Sequence, residues 1–176
     1  MEIRGDRSIE EITALWEFQK ERKLKSASFT GHRILPKDSS ELKKSLTSEI
    51  KRLIESGVVN FWAGGAVGFD MLAEETVLEL KKEYPHISLR LALPCSLEDQ
   101  SVKWNKKQRE RYYEIFEQAD EAQIVSAKYT PNCMFERNRR LVDNSQYLIC
   151  YLRRKWGGTF YTVNYAEKQN TKIIRL

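Results

Sequence analysis

The chain has little cysteine, no long apolar run and no bulk excess of one charge, and each shortage narrows what it can be. Its three cysteines, Cys95, Cys133 and Cys150, are odd in number and far apart in 176 residues. They form neither a CxxC pair nor a metal-ligand spacing, which argues against a disulfide framework and predicts a reduced, cytoplasmic protein. No apolar stretch approaches the roughly 18–20 residues of a membrane span, and Met1-Glu2-Ile3-Arg4 does not open a signal peptide. No membrane partner is expected. HExxH, a nucleophile elbow and a Cys/His cluster are missing, so zinc hydrolysis and triad chemistry lack support; neither a metal nor a cofactor is expected. Internal repeats and low-complexity segments are absent too. The net charge of +5 admits an anionic partner without demanding nucleic acid.

What is present reads as one globular domain with an appendage. Hydrophobic residues make up 41% and charged residues 31%, an ordinary balance for a packed core of this length. Residues 1–25 are expected to be a helical extension: Ser8-Ile9-Glu10-Glu11 fits a capping box, and Ile9, Ile12 and Trp16 follow at helical spacing. Residues 26–176 then alternate strand and helix. Strands are expected near 27–29, 58–63, 87–93, 122–126, 146–152 and 172–176. A capping box at Asp38–Glu41 opens the helix that carries Leu42, Leu46, Ile50 and Leu53, and Gly57 stops it. Further helices are expected from Gly68 to Pro85, Asn105 to Ala119, Phe135 to Asn144 and Thr159 to Lys168. Six strands alternating with helices predict an α/β fold, a Rossmann-like three-layer sandwich with a mostly parallel sheet. The longest loops, 32–38 and 94–104, both follow strand ends.

Three short signatures stand at those strand ends: Thr30-Gly31-His32-Arg33, the run GGAVGFD from Gly64 to Asp70, and Gly157-Gly158-Thr159. In a parallel sheet such ends share one edge, where ligands bind. Backbone N–H, hydroxyl and positive charge gathered there predict a site for a phosphate-bearing small molecule. In GGAVGFD, Gly64 and Gly65 are expected to permit close backbone approach and Gly68 close packing at a helix start. No Gly-Lys-Ser/Thr follows, which removes a Walker A loop. The glycine spacing, with Arg90 where a ribose-binding acid would stand, removes an NAD fingerprint. Asp70 either caps the helix or reaches a ribose hydroxyl.

Met134, Arg137 and Leu141 share a helical face, so Arg137 is expected among core residues, needing an internal carboxylate or a ligand anion. Guanidinium geometry suits phosphate. Gly157-Gly158-Thr159 is a second place for a phosphate or a sugar, and Arg153, Arg154 and Lys155 before it would steer an anion inward. Arg33 is read as a ligand contact, and His32 as either a contact or a structural residue. Trp104, Arg111 and Tyr112 supply either an aromatic wall for a base or ordinary helix packing.

Taken in order, these signatures resemble the SLOG superfamily, which groups the DprA/Smf proteins with the Lonely Guy enzymes, and within it the YpsA-like branch. The pieces are Phe29 to Arg33, Gly64 to Asp70, Arg137-Asn138, and Gly157-Gly158-Thr159 followed by Thr162-Val163. The resemblance implies a Rossmann-like fold that binds a nucleotide or nucleotide-derived ligand at the strand-end cleft. Lonely Guy enzymes cleave the N-glycosidic bond of a nucleoside 5′-monophosphate with an arginine and a glutamate near PGGxGT. Arg137 is similar to that arginine. Phe160, Tyr161 and Thr162 stand where the glutamate is expected. Carboxylates stabilise the oxocarbenium-like state or activate the water, so their loss slows turnover while leaving phosphate contacts intact.

Three functions follow as expectations. The first is binding of a nucleotide-derived ligand, of ADP-ribose type or cyclic, as a sensor or a sequestering protein. The second is an N-glycosidase acting on nucleoside 5′-monophosphates, with Glu136 or Asp143 as the substitute acid. The third is DprA-like DNA binding, disfavoured because basic residues are interspersed with acids. The relatives' habit of assembling also implies a homo-oligomer, with the N-terminal helix as its contact.

Overall fold

The computed structural model describes residues 7–176; Met1-Glu2-Ile3-Arg4 and the rest of the first six residues of the expected extension lie outside the described residues. The elements run α1 (Ile9–Leu24), β1 (Ser26–Gly31), α2 (Ser40–Glu55), β2 (Asn60–Ala63), α3 (Phe69–Lys81), β3 (Ser88–Leu93) and α4 (Leu97–Ser101). They continue with α5 (Lys106–Gln118), β4 (Glu121–Ile124), α6 (Cys133–Asp143), β5 (Tyr147–Tyr151), α7 (Gly158–Lys168) and β6 (Lys172–Arg175). All six strands are parallel, in the order β4-β3-β2-β1-β5-β6. This is the expected Rossmann-like α/β sandwich.

The central strands are buried on both faces, as a helix-covered parallel sheet requires. On one face Phe29, Phe61, Leu89 and Leu91 pack with Leu46, Ile50, Val77 and Ile115 from α2, α3 and α5. On the other, Leu148 and Cys150 of β5 meet Val142 of α6 and Val163 and Ala166 of α7. From β1 the chain steps outward through β2, β3 and β4, then returns to lay β5 on the far side of β1. The direction of winding therefore reverses between β1 and β5. At such a switch point the loops of neighbouring strands part and leave a crevice at the carboxyl edge. Pairing of Gly31 with Tyr151 brings the ends of β1 and β5 level there.

Two local expectations change. The 94–104 loop holds a short helix, α4, whose first turn is fixed by Ser96 Oγ accepting the Asp99 N–H at 3.2 Å. Five residues are too few to show a period. At α2 the cap position is Ser39, and Asp38 Oδ1 instead takes the Ser40 N–H two residues on, at 2.9 Å. The capping box of α1 forms, with Ser8 and Glu11 satisfying each other's N–H groups.

Among the described residues, the contacts that hold α1 come near its end, at the amino edge of the sheet. Arg22 meets Glu121 at 2.6 Å, the Lys23 carbonyl accepts the Gln146 N–H, and the Lys25 carbonyl accepts the Val59 N–H. None of its residues is buried; Ile9, Trp16 and Phe18 face solvent. Among the described residues, no helix is long and apolar enough to cross a membrane.

Candidate functional site

A cavity of about 270 Å³ opens at the switch point, outside the carboxyl end of β1. Thr30, Gly31, His32 and Arg33 form its floor and one wall; Ala66 and Asp70 come from the loop after β2 and the start of α3. α6 contributes Met134, Arg137, Asn138 and Leu141, and the chain after β5 contributes Arg154, Trp156, Gly157, Gly158 and Thr159. The topology thus gathers the three glycine signatures and the α6 arginine into one place. Gly64, Gly65, Gly68 and Thr162 stand behind the lining.

The GGAVGFD loop is filled by the protein itself. The Gly65 N–H, expected to meet a phosphate, donates to Glu74 Oε1 at 2.8 Å, and the Ala66 N–H points to Asp70 Oδ2 at 3.4 Å. Asp70 therefore closes the loop; α3 starts at Gly68 without a side-chain cap. Gly64 does permit close approach, but to Arg137: a Cβ there would strike the guanidinium and Asp70. Gln100 Nε2 donates to the Gly65 carbonyl at 3.0 Å, and Gln100 Oε1 accepts the Tyr112 hydroxyl at 2.6 Å. Tyr112 thus packs in the core, while Arg111 forks onto Glu75 at 2.8 Å.

Glu74 is the buried acid that sequence reasoning missed. It is fully enclosed, and its Oε2 has no hydrogen-bond partner among the described residues. Burial first, and then the neighbouring Asp70 charge, raise its carboxyl well above the usual carboxylate range. A signal was available: Asp70 and Glu74 are four apart on a helix whose other positions are largely apolar.

Arg137 is buried as its spacing predicted. Its Nε donates to Asn138 Oδ1 at 2.8 Å and its Nη1 to the Gly64 carbonyl, while Asp70 Oδ2 stands 3.9 Å away. Among the described residues, its Nη2 meets only the Met134 sulfur, at 3.8 Å. The internal carboxylate is present, yet the pairing is loose. Burial lowers the guanidinium's proton affinity and raises Asp70's, each opposed by the other's charge.

Glu136 and Asp143 are not among the lining residues. They project from another side of α6 onto a hollow with Arg139 and Arg140, and Asp143 accepts the Tyr165 hydroxyl at 2.9 Å. The helical period explains this: the face of residues 134, 137, 138 and 141 that meets the cleft excludes 136 and 143.

The second glycine turn is open. Gly157, at φ +89°, has nothing within 4 Å of where a Cβ would sit, and Gly158 has only Asn138 Nδ2 at 3.8 Å. α7 begins here with no side-chain cap, and Gly157, Gly158 and the buried Thr159 line the cleft at its N-terminal end. Thr162 lies one turn on and donates to the Gly158 carbonyl at 2.8 Å. Arg154 stacks 5.1 Å from the ring of Trp156, an exposed aromatic that sequence reasoning passed over. His32 Nε2 accepts the Arg153 N–H at 2.7 Å, which places any ring proton on Nδ1. Burial first, then Arg154 and Arg153, lower its pKa.

All three cysteines are buried and free. Burial, with Cys133 beside it, pushes the Cys95 thiol up to about 11, and burial raises Cys150 to about 11. Neither is a nucleophile at neutral pH. Among the described residues, no group of three His, Cys, Asp or Glu side chains is placed to hold a metal ion.

A family model, the YspA SLOG family, matches residues 36–174. The chain belongs to that family. Among relatives of this SLOG chain, a UPF0398 protein of Halalkalibacterium halodurans is 33% identical over 131 residues, covering 73% of this chain and 68% of its own. The SPbeta prophage-derived protein YoqJ of Bacillus subtilis is 30% identical over 141 residues, covering 73% of this chain and 81% of its own. The fold is similar to that of DNA processing protein A from Helicobacter pylori, with a TM-score of 0.62 and 19% identity over 90% of this chain and 67% of that one. The Streptococcus pneumoniae DNA processing protein A gives 0.63 and 17%, over 87% of the SLOG chain and 50% of its own.

Proposed function

We propose that the cleft binds a nucleotide-derived anion, of ADP-ribose type or cyclic, and that the protein acts as a sensor or a sequestering protein in a reducing cytoplasm. One observation carries this reading: Arg137 is buried at the cleft wall, its carboxylate partner is 3.9 Å off, and among the described residues its Nη2 meets only a thioether. A guanidinium in that state gains from a bidentate oxyanion. The open Gly157-Gly158 turn supplies backbone donors across the cleft, and Trp156 a face for a base. The placement of Glu136 and Asp143 off the lining favours holding a nucleotide over cleaving its glycosidic bond.

Calorimetric titration with AMP, ADP, ADP-ribose and cyclic nucleotides tests the proposal; lack of micromolar binding to every one of them defeats it. Trp156→Ala should weaken binding about tenfold, since base stacking contributes about 1–3 kcal/mol, and leave thermal stability unchanged. A second reading has its own support: the Helicobacter pylori neighbour binds single-stranded DNA. A strand bound at this edge would show affinity falling steeply with salt.

We also infer that α1 pairs with the α1 of a second copy. Glu10 and Glu11 lie in its first half and Lys20, Arg22 and Lys23, outnumbering Glu17 and Glu21, in its second, so antiparallel pairing sets opposite charges together while covering Ile9 and Trp16. Light scattering should report a dimer, and Trp16→Glu a monomer. A wild-type monomer overturns the pairing.

A further inference from the structure

We propose that the cleft is one lobe of a longer site, and that its ligand carries two flat ring units joined through phosphate. This rests on the anion-binding reading above. A second cavity of about 650 Å³ opens beside the first, and the two share Arg33 and Met134. Its other walls include Asp99 of α4, Val102, Lys103 and Trp104 from the stretch between α4 and α5, and Lys128 and Tyr129 from the loop after β4.

The lining repeats the chemistry of the first lobe. Tyr129 offers a face for a ring, as Trp156 does next door, Trp104 backs the wall from the core with little of its ring exposed, and Lys103 and Lys128 add positive charge. Arg33, exposed and common to both cavities, stands where a bridging phosphate would pass from one to the other. The first cavity, at about 270 Å³, is at the small end of ligand sites, which run to roughly 300–1,000 Å³. One nucleotide unit suits it; a longer molecule must continue into the second.

Both walls of the second lobe are fixed from behind. Trp104 lies edge-on to Tyr112, with centroids 5.0 Å apart, and Tyr112 is anchored through Gln100. The Tyr129 N–H donates to Asp99 at 3.0 Å, tying the loop after β4 to α4. Such preorganisation lowers the cost of ordering loops on binding. Val102 and Tyr129 nevertheless remain 70% and 57% exposed. Large apolar side chains are thus held out around a cationic opening. The shared chemistry of two bases and a bridging phosphate occurs both in a free dinucleotide and in a single strand.

Titration calorimetry with three probes separates the outcomes: AMP, 5′-phosphorylated adenylyl-adenosine and a ten-residue oligothymidylate. The dinucleotide should bind at least tenfold tighter than AMP. Val102→Trp, which fills the second cavity from an exposed position, should remove that gain and leave AMP binding as it was. Lys128→Glu repeats the test through charge. A strand that binds tighter still, with steep salt dependence, identifies a strand as the source; equal or weaker strand binding identifies a small molecule. Equal affinity for AMP and the dinucleotide, or no selective effect of either variant, overturns the two-lobe site alone. Failure of all three probes to bind, while ADP-ribose or a cyclic nucleotide does, overturns the two-lobe site; failure of those ligands as well overturns the cleft reading beneath it.

Discussion

The two glycine turns at the carboxyl edge are alike on paper and opposite in the fold. Around Gly64 and Gly65 the loop's donors go to Glu74 and Asp70, and Arg137 takes the space that a missing side chain leaves. Around Gly157 and Gly158 there is open space and an uncapped helix start. A glycine-rich strand-to-helix turn is therefore not by itself an anion site. The decisive question is whether the protein supplies its own anion. In the first turn it does, so that turn builds the wall; the second is left to face a ligand.

The sharpest way to break this contrast is a methyl group in each turn. Gly64→Ala drives a Cβ into Arg137 and Asp70 and should cost about 3 kcal/mol or prevent folding. Gly158→Ala meets only an ordinary contact and should change stability by no more than about 0.5 kcal/mol. Denaturant melts of the pair measure both, and equal effects would erase the distinction.

A smaller effect belongs to Glu74. Glu74→Ala strands the buried Gly65 N–H and should cost about 2 kcal/mol, whereas Glu74→Gln keeps an acceptor of the same shape and should stay within about 1 kcal/mol. Because the folded pKa is raised, Glu74's contribution is fully present below the ordinary carboxylate pKa and declines as pH rises through the folded value. Thermal melts from pH 5 to 9 should accordingly fall less steeply for Glu74→Gln than for the wild type.

The smallest effect concerns His32, which steadies the approach to the second turn through Arg153. Its folded pKa is lowered, so its contribution is present above the ordinary histidine pKa and is lost as pH falls through the folded value. Between pH 7 and 5 the wild type should lose slightly more melting temperature than His32→Gln. A wild type no more acid-sensitive than the variant would show that the Arg153 contact carries no linkage.

Much of this was legible in the chain. Six strands alternating with helices gave the layers, and Met134, Arg137 and Leu141 at spacings of three and four placed a guanidinium at a buried face. That Gly31, Gly64 and Gly157 would meet followed from parallel strands alone. Which turn stays open did not, because that depends on Glu74 and Gln100 reaching back over nine and thirty-five residues to hold Gly65. Trp156 was hidden by the basic run before it, which reads as solvated surface until Arg154 is seen stacked on its ring. The second cavity had no sequence signal, since its walls come from loops that share no pattern and meet only in space.

The buried thiols have a further use. Cys150 lies in β5, one strand in from the edge of the sheet, while Cys95 follows β3 beside Cys133 at the start of α6, the helix that lines the cleft, and a raised pKa keeps Cys95 and Cys150 from reacting while the core is closed. A thiol reagent therefore acts as a clock for opening. Mass-resolved labelling under native conditions would time breathing at the cleft separately from rupture of the sheet, with no introduced probe.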